Sequence, residues 1–314
     1  MTDLLERVRA GGLLEPGRPV LVLLSGGRDS VSLLDLAVRI AGAPHVSALH
    51  CNYGLRAEAA GDEAHCAELC EQLGVALDVQ RPRRPAGAGN LQAWARDERY
   101  GAARRLAPDR DIAAGHTASD QVETVLYRLA ASPGRRALLG MAPRDGRLIR
   151  PLLGVSRAET AAHCEARGLA WREDASNTEF ARGRVRHGLL PALRAVHPAA
   201  EANVLRTLEL LRDEATVLDA AVDDALTAAG DPPARDALRA LPPALRRLAL
   251  QRLADRAAGG QAPAIGNRAT EVLALEEGGA LDVGGGLRAE IRGGALCFGA
   301  SRGPAAPRPR RAPS

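Results

Sequence analysis

Two adjacent glycines between an apolar run and a helical pattern constrain this chain more than any other feature of its sequence. Residues 25–30 read Ser-Gly-Gly-Arg-Asp-Ser and directly follow the apolar run 20–24. Apolar residues then recur at three- and four-residue spacing through residues 30–41, which predicts a helix. A buried strand, a tight glycine turn and a helix N-terminus form a cradle for an anion, because unpaired N–H groups and the helix dipole meet there.

This loop differs from the two common glycine-rich nucleotide motifs. Its glycines are adjacent and no lysine follows, so it matches neither the dinucleotide fingerprint nor the Walker loop. All 42 positive charges are arginine. Phosphate contacts must therefore come from guanidinium groups, backbone amides, hydroxyls or a cation held by Asp29. The simpler alternative is an ordinary strand-to-helix turn in which Asp29 or Ser30 caps the helix.

The first half of the chain alternates short apolar runs with helical patterns. Strands are predicted at 20–24, 45–52, 76–81 and 111–115, and helices near 30–41, 57–73, 90–106 and 119–130. This alternation predicts an α/β fold with a doubly wound parallel sheet. Ligands bind such sheets at the carboxyl ends of the strands, which directs attention to the residues that follow each strand.

Past residue 191 the pattern becomes a succession of helices. Glycine-punctuated alternation at 280–283, 287–291 and 295–298 then predicts a small antiparallel sheet. We expect a catalytic domain over 1–196 and a mostly helical second domain over 197–300. The Pro-, Ala- and Arg-rich tail 301–314 is expected to be disordered.

Charge and cysteine usage narrow the class of protein. The net charge is only +4, but residues 135–194 carry twelve arginines against six acidic residues. Such a region suits a polyanion such as tRNA, although a solvated arginine-rich surface is equally consistent with it. The five cysteines include no C-x-x-C pair, and neither a signal peptide nor a membrane span is evident. We expect a cytoplasmic protein without a membrane partner.

A second motif follows the fourth predicted strand. Residues 115–124 read Gly-His-Thr-Ala-Ser-Asp-Gln-Val-Glu-Thr, which places Asp120 and Glu123 on one face of a helix near the carboxyl edge of the sheet. Two carboxylates there could hold a cation or an amine. Equally, they could favour the helix dipole, with Thr117 and Asp120 as a capping pair.

These motifs resemble known sequences in a consistent order. Residues 25–30 resemble the loop of the PP-loop (N-type) ATP pyrophosphatases, and residues 115–124 are similar to the G-H-x-x-D-D-Q-x-E-T motif of tRNA(Ile)-lysidine synthetases. The segments 90–100, 150–157 and 173–191 resemble the A-R-x-x-R-Y, R-P-L-L and D-P-S-N motifs of that family. Four positions depart from its pattern: Tyr53, Ser119, Ala175 and Gly183. The resemblance covers about residues 18–195.

The resemblance implies ATP-dependent attachment of free L-lysine to C2 of the wobble cytidine in tRNA(Ile) with a CAU anticodon. The reaction would pass through an adenylated tRNA and release AMP and pyrophosphate, with ATP and Mg²⁺ as cofactors. The implied catalytic residues are Asp29, Asp120, Glu123, Arg96, Arg182 and Arg186. The implied cofactor-binding residues are Ser25, Gly26, Gly27, Arg28, Asp29, Ser30, His50 and His116, with Asp29 as the metal ligand. Asp120 and Glu123 would bind the lysine amino group, and the arginines would neutralise phosphate.

Two other functions remain open at this point. A PP-loop enzyme of tRNA 2-thiolation would use paired cysteines or an iron–sulfur cluster, whereas Cys66 and Cys70 are four residues apart in a predicted helix. A nucleotide- or RNA-binding protein that kept the fold would bind ATP without releasing pyrophosphate. A homodimer is one expected assembly state.

Overall fold

The computed structural model describes residues 3–55, 57–85, 89–131, 134–172, 181–265 and 268–301, without the side chains of 181 and 182. The chain divides into two compact units, Met1–Glu209 and Leu210–Ser314. The division falls later than the boundary expected at 196, within a continuous helix that spans Ala200–Ala229. The predicted tail lies outside the described residues from 302 onward.

The first unit contains a six-stranded, mostly parallel sheet. Its strands are β1 (Val20–Leu23), β2 (Val46–Cys51), β3 (Ala76–Gln80), β4 (Asp111–Ala114), β5 (Arg144–Asp145) and β6 (Leu148–Ile149). Their order is β3-β2-β1-β4-β6-β5, and only β5 runs antiparallel to its neighbour. The predicted doubly wound parallel sheet is thus confirmed. The order reverses direction at β1, so the loops after β1 and β4 lie side by side at the carboxyl edge.

Helices cover both faces of this sheet. The helices of the first unit are α1 (Leu4–Ala10), α2 (Arg28–Ala41), α3 (Ala59–Leu73), α4 (Leu91–Leu106), α5 (Ala118–Ala131), α6 (Arg135–Leu138), α7 (Arg157–Ala166), α8 (Ala181–Arg184) and α9 (Leu190–Val196). Alternate side chains of β1 enter two different cores. Val20 and Val22 pack with residues of α1, α2, α3 and α7, while Leu21 and Leu23 pack with Tyr100 and its neighbours in α4.

The second unit combines helices with a small antiparallel sheet, as predicted. It takes in the end of α10 (Ala200–Ala229), followed by α11 (Arg235–Ala240), α12 (Pro243–Ala258) and α13 (Ala269–Ala274). Strands β7 (Ala280–Gly284), β8 (Leu287–Arg292) and β9 (Ala295–Ala300) pair in that order. Their inward side chains share one core with the helices. In the part of the chain that is described, no helix is both long and apolar enough to cross a membrane.

Candidate active site

The loop between β1 and α2 is held closed by its own side chains. Ser30 is buried, and its hydroxyl accepts a hydrogen bond from the Ser25 amide at 3.2 Å and donates to the Gly27 carbonyl at 2.8 Å. Gly26 has φ +82°, and a Cβ there would lie 3.3 Å from the Cys66 sulfur. The backbone conformation therefore favours glycine at position 26, and the Cys66 sulfur leaves little room for a side chain. The Ser30 hydrogen bonds and the conformation of Gly26 together fix the path of the loop.

The end of β4 lies directly against this loop. A Cβ on Gly115 would come within 3.0 Å of the Asp29 carbonyl oxygen and 3.2 Å of the Ser30 nitrogen. Only a glycine permits that approach. The contact brings the N-terminus of α5, with Asp120 in its first turn, to the side of the loop that carries Asp29.

Three carboxylates and two guanidinium groups meet at this position: Asp29, Asp120, Glu123, Arg157 and Arg186. We call this set the acid–arginine cluster. Arg157 Nε lies 3.9 Å from Asp29 Oδ2, and its Nη2 lies 3.4 Å from Asp120 Oδ1. Arg157 therefore links the two motifs that the sequence singled out. Its position in a segment similar to R-P-L-L is a signal in the sequence, but no role was predicted for this residue.

Glu123 is the most tightly held member of the cluster. Its side chain is only 5% exposed, and it accepts two hydrogen bonds from Arg186, at 2.6 Å from Nε and 3.0 Å from Nη2. Burial acts to lower the pKa of Arg186, but the hydrogen bond and the charges of Glu123, Asp120 and Asp29 outweigh it and raise that pKa. Arg186 lies in a π-helical turn, Val185–Leu189, between α8 and α9. Such turns often occur at functional sites.

Asp120 is held closely through one carboxylate oxygen, Oδ2, and loosely through the other, Oδ1. Its Oδ2 accepts hydrogen bonds from the Thr117 amide and hydroxyl at 2.8 and 3.0 Å, which is the capping arrangement considered above. Among the described residues its Oδ1 has only long contacts, 3.4 Å to Arg157 and 3.6 Å to Arg186. Capping and a charged role at the site are therefore compatible, because they use different oxygens.

A residue that the sequence analysis did not identify orients Asp29. Thr160 is fully buried on α7, and its hydroxyl donates to Asp29 Oδ1 at 2.6 Å. Arg28 also approaches the same oxygen, at 3.4 Å from its Nε. Among the described residues nothing donates a hydrogen bond to Asp29 Oδ2. No sequence signal pointed to Thr160, which lies 131 residues from its partner along the chain.

Two other predicted residues, Arg96 and His116, belong to a second group with Arg99, Tyr100 and Arg150. We call this set the arginine–tyrosine cluster. The Cζ atoms of Arg96 and Arg99 lie 4.8 and 5.3 Å from the centre of the Tyr100 ring. Burial lowers the pKa of His116 to about 4, and the charges of Arg150, Arg99 and Arg96 act in the same direction against that of Asp120. The imidazole is therefore neutral at pH 7.

The remaining predicted residues differ in how they are placed. His50 is buried on β2, with Nδ1 3.0 Å from the Leu24 carbonyl oxygen and 3.4 Å from the Cys66 sulfur. It therefore contacts the strand before the loop. Arg182 belongs to α8, but its side chain lies outside the described residues, as does the predicted motif at 173–177.

The parallel sheet and the Ser-Gly-Gly loop after β1 are typical of PP-loop proteins, and comparison with known families gives the same class. A family model described as a PP-loop domain matches residues 4–193. Among solved structures, the fold is similar to that of the U34-tRNA thiolase NcsA from Methanococcus maripaludis, with a TM-score of 0.54 and 19% identity. That match covers 66% of this chain and 77% of the thiolase.

Curated relatives narrow the family further. A tRNA(Ile)-lysidine synthase from Gloeobacter violaceus is 38% identical over 265 residues, which is 80% of this chain and 81% of the relative. Those from Pseudomonas fluorescens and Symbiobacterium thermophilum are 39% and 42% identical over 67% and 68% of this chain. The chain spans about half the length of these two relatives, 50% and 49%. It belongs to the tRNA(Ile)-lysidine synthase family of PP-loop proteins.

Proposed function

We propose that this protein is a ligase that uses ATP to attach L-lysine to C2 of the wobble cytidine of tRNA(Ile) with a CAU anticodon. The observation that carries the proposal is the contact of Gly115 with the backbone of the loop, which brings Asp29 and Asp120 into one cluster. A phosphate-binding loop and a carboxylate for an amine are then side by side. Family membership supplies the substrates.

The proposed chemistry follows from the substrate. The O2 atom of cytosine is a poor leaving group, so the uncharged amine of lysine cannot displace it directly. Transfer of AMP to O2, with release of pyrophosphate, converts it into a good leaving group and divides one difficult step into two. The loop 25–30 would hold the departing pyrophosphate with its backbone amides and the N-terminus of α2.

A magnesium ion fits the donor set at Asp29. Mg²⁺ is usually held by one or two carboxylates together with substrate phosphates and water. Asp29 provides one such carboxylate, with Oδ1 fixed by Thr160 and Oδ2 accepting no hydrogen bond from the described residues. When bound, the ion would neutralise charge on the phosphates.

The two carboxylates of α5 take different parts in this proposal. Within the described part of the chain, Asp120 Oδ1 has only long contacts with arginine, so the ammonium group of lysine can compete for it. Glu123 is buried and fully engaged by Arg186, so we assign it the positioning of that guanidinium. Arg186 and Arg96, together with Arg182, would then neutralise phosphate or the adenylated intermediate.

Cysteine chemistry has little support at this site. Cys66 and Cys70 are both buried, and burial raises the pKa of Cys66 to about 12 and that of Cys70 to about 11. A thiolate is the reactive form in sulfur transfer, and these thiols are protonated at pH 7. The second unit, in contrast, would contribute to tRNA binding through phosphate contacts, which predicts salt-sensitive affinity.

One assay tests the proposed function. The protein is incubated with ATP, labelled lysine and unmodified tRNA(Ile) with a CAU anticodon, and incorporation of label into the tRNA is measured. We expect label in the tRNA together with AMP and pyrophosphate. The same tRNA with its wobble cytidine replaced should stay unlabelled. ATP binding without pyrophosphate release on addition of tRNA would contradict the proposal and favour a non-catalytic binding protein.

A further inference from the structure

Arg150 is an exception to the rule that buried charges are paired. The residue is only 5% exposed, follows β6, and donates from Nη1 to the Ala142 carbonyl at 2.6 Å. No carboxylate of the described residues forms an ion pair with it, and its buried Nε has no hydrogen-bond partner among them. A buried guanidinium without a counter-charge is costly unless another anion compensates it.

The neighbours of Arg150 add to this excess of positive charge. Arg96 and Arg99 both lie over the Tyr100 ring, and among the described residues neither of them forms an ion pair. Burial lowers the pKa of Arg150, and the charge of Arg96 lowers it further, while Tyr100 and Asp145 act in the opposite direction. The guanidinium groups of Arg96 and Arg150 are therefore close enough to influence one another, and Arg96 and Arg99 share the Tyr100 ring, which supplies only weak cation–π compensation.

Hydrogen-bonding groups in the same cluster are also unused. The buried Tyr100 hydroxyl, Arg99 Nε and His116 Nδ1 have no partner within the described part of the chain. Buried polar atoms are nearly always hydrogen-bonded, so several unpartnered ones on the residues of one cluster favour a ligand there. A neutral imidazole, a phenol and three guanidinium groups can donate hydrogen bonds together, and an anion with several acceptor oxygens satisfies such a set.

We infer that the arginine–tyrosine cluster is a second phosphate-binding site, distinct from the loop after β1 and centred on Arg99, Tyr100 and Arg150. Guanidinium groups match the geometry of phosphate oxygens, and several can bind one phosphate. Two sources share this chemistry: a phosphodiester of the bound RNA strand and a phosphate of ATP. The first source rests on the proposed function, since only an RNA substrate supplies phosphodiesters. Phosphate binding itself does not depend on that function.

Binding measurements without turnover test this inference. The full chain and its Arg99→Gln variant are titrated with a labelled RNA stem–loop carrying CAU in its loop, and separately with ATP. Arg104→Gln is the matched control, because Arg104 is an exposed arginine on the same helix. If the phosphate belongs to RNA, Arg99→Gln weakens RNA binding about tenfold. It also makes the slope of log K against log salt shallower by about 0.7. ATP affinity then stays unchanged.

If the phosphate belongs to ATP, the loss appears in the ATP titration and RNA affinity is retained. Equal affinities of Arg99→Gln and Arg104→Gln for both probes would overturn the inference. Arg150→Gln is a second variant, and its folding is checked by thermal unfolding before titration. Since no lysine is present in these titrations, they remain informative even if the labelled-lysine assay fails.

Discussion

The two clusters at the carboxyl edge of the sheet differ in how their charges are compensated. The acid–arginine cluster contains three carboxylates and, when Arg28 beside Asp29 is counted, three guanidinium groups in contact with them. In the arginine–tyrosine cluster, three guanidinium groups have no ion-pair partner among the described residues. The first cluster is therefore assembled by the protein's own charges, whereas the second contains buried donors that no described residue partners. Substitutions should thus act on catalysis and stability in the first cluster and mainly on phosphate binding in the second.

The largest effect is expected from Asp29→Asn. The amide keeps the size of the side chain and can still accept from Thr160, but it removes the charge that would face a phosphate-bound cation. We expect release of pyrophosphate driven by tRNA to fall by about 10² to 10³. Unfolding in urea should be nearly unchanged, since the side chain is partly exposed. If the variant still releases pyrophosphate at the normal rate, the loop 25–30 is not the site that holds the pyrophosphate.

A smaller effect, on stability, is expected from Glu123→Gln. Glu123 is buried and holds Arg186 through two charge-assisted hydrogen bonds, so loss of its charge should lower the free energy of unfolding by about 1.5–3 kcal/mol. Urea unfolding measures this change. The control is Glu209→Gln, which breaks an exposed pair with Arg206 and should change stability by less than about 0.5 kcal/mol. If the two variants lower the free energy of unfolding equally, the acid–arginine cluster stabilises the fold no more than an exposed ion pair does.

Thr160→Val tests whether Asp29 is positioned from α7. Valine has nearly the same shape but cannot donate the 2.6 Å hydrogen bond to Asp29 Oδ1. We expect kcat to fall about tenfold with little change in the KM for lysine. Removal of a residue that orients a metal-binding side chain typically lowers metal affinity or activity about 10- to 100-fold. Thr160→Ser, which keeps the hydroxyl, should restore most of the activity. If the Thr160→Val and Thr160→Ser variants lower kcat equally, the effect comes from packing and not from the hydroxyl.

The smallest effect concerns the pH dependence of the arginine–tyrosine cluster. Burial lowers the pKa of His116 to about 4 from an ordinary value of 6.5. Between these values the unfolded chain binds more protons than the folded one, so the free energy of unfolding decreases as pH falls from 6.5 towards 4. His116→Gln should flatten this part of the stability curve. If His116 protonates near pH 6.5 in an NMR titration, its side chain is neither buried nor close to the positive charges of the arginine–tyrosine cluster.

Much of the fold was predictable because its signals are local. The strands at 20–24, 45–52, 76–81 and 111–115 and the helices between them appear with small shifts at their ends. The hairpin of β5 and β6 was not predicted, since strands of two residues leave no periodicity to detect. The boundary expected at 196 rests on a change in composition, whereas the two compact units divide within a continuous helix, Ala200–Ala229.

The parts that depend on neighbours along the chain follow from the sequence alone: the glycine loop, the helix behind it and the carboxylates of the motif after the fourth strand. Only the tertiary structure decided which of these groups meet. Arg157, Thr160 and Arg186 reach Asp29, Asp120 and Glu123 from segments 37 to 131 residues away. Arg150 forms no ion pair with any acid that the structure describes. The physical reason is that charge compensation depends on distances of a few ångströms, which are fixed by packing at the sheet edge and not by spacing along the chain.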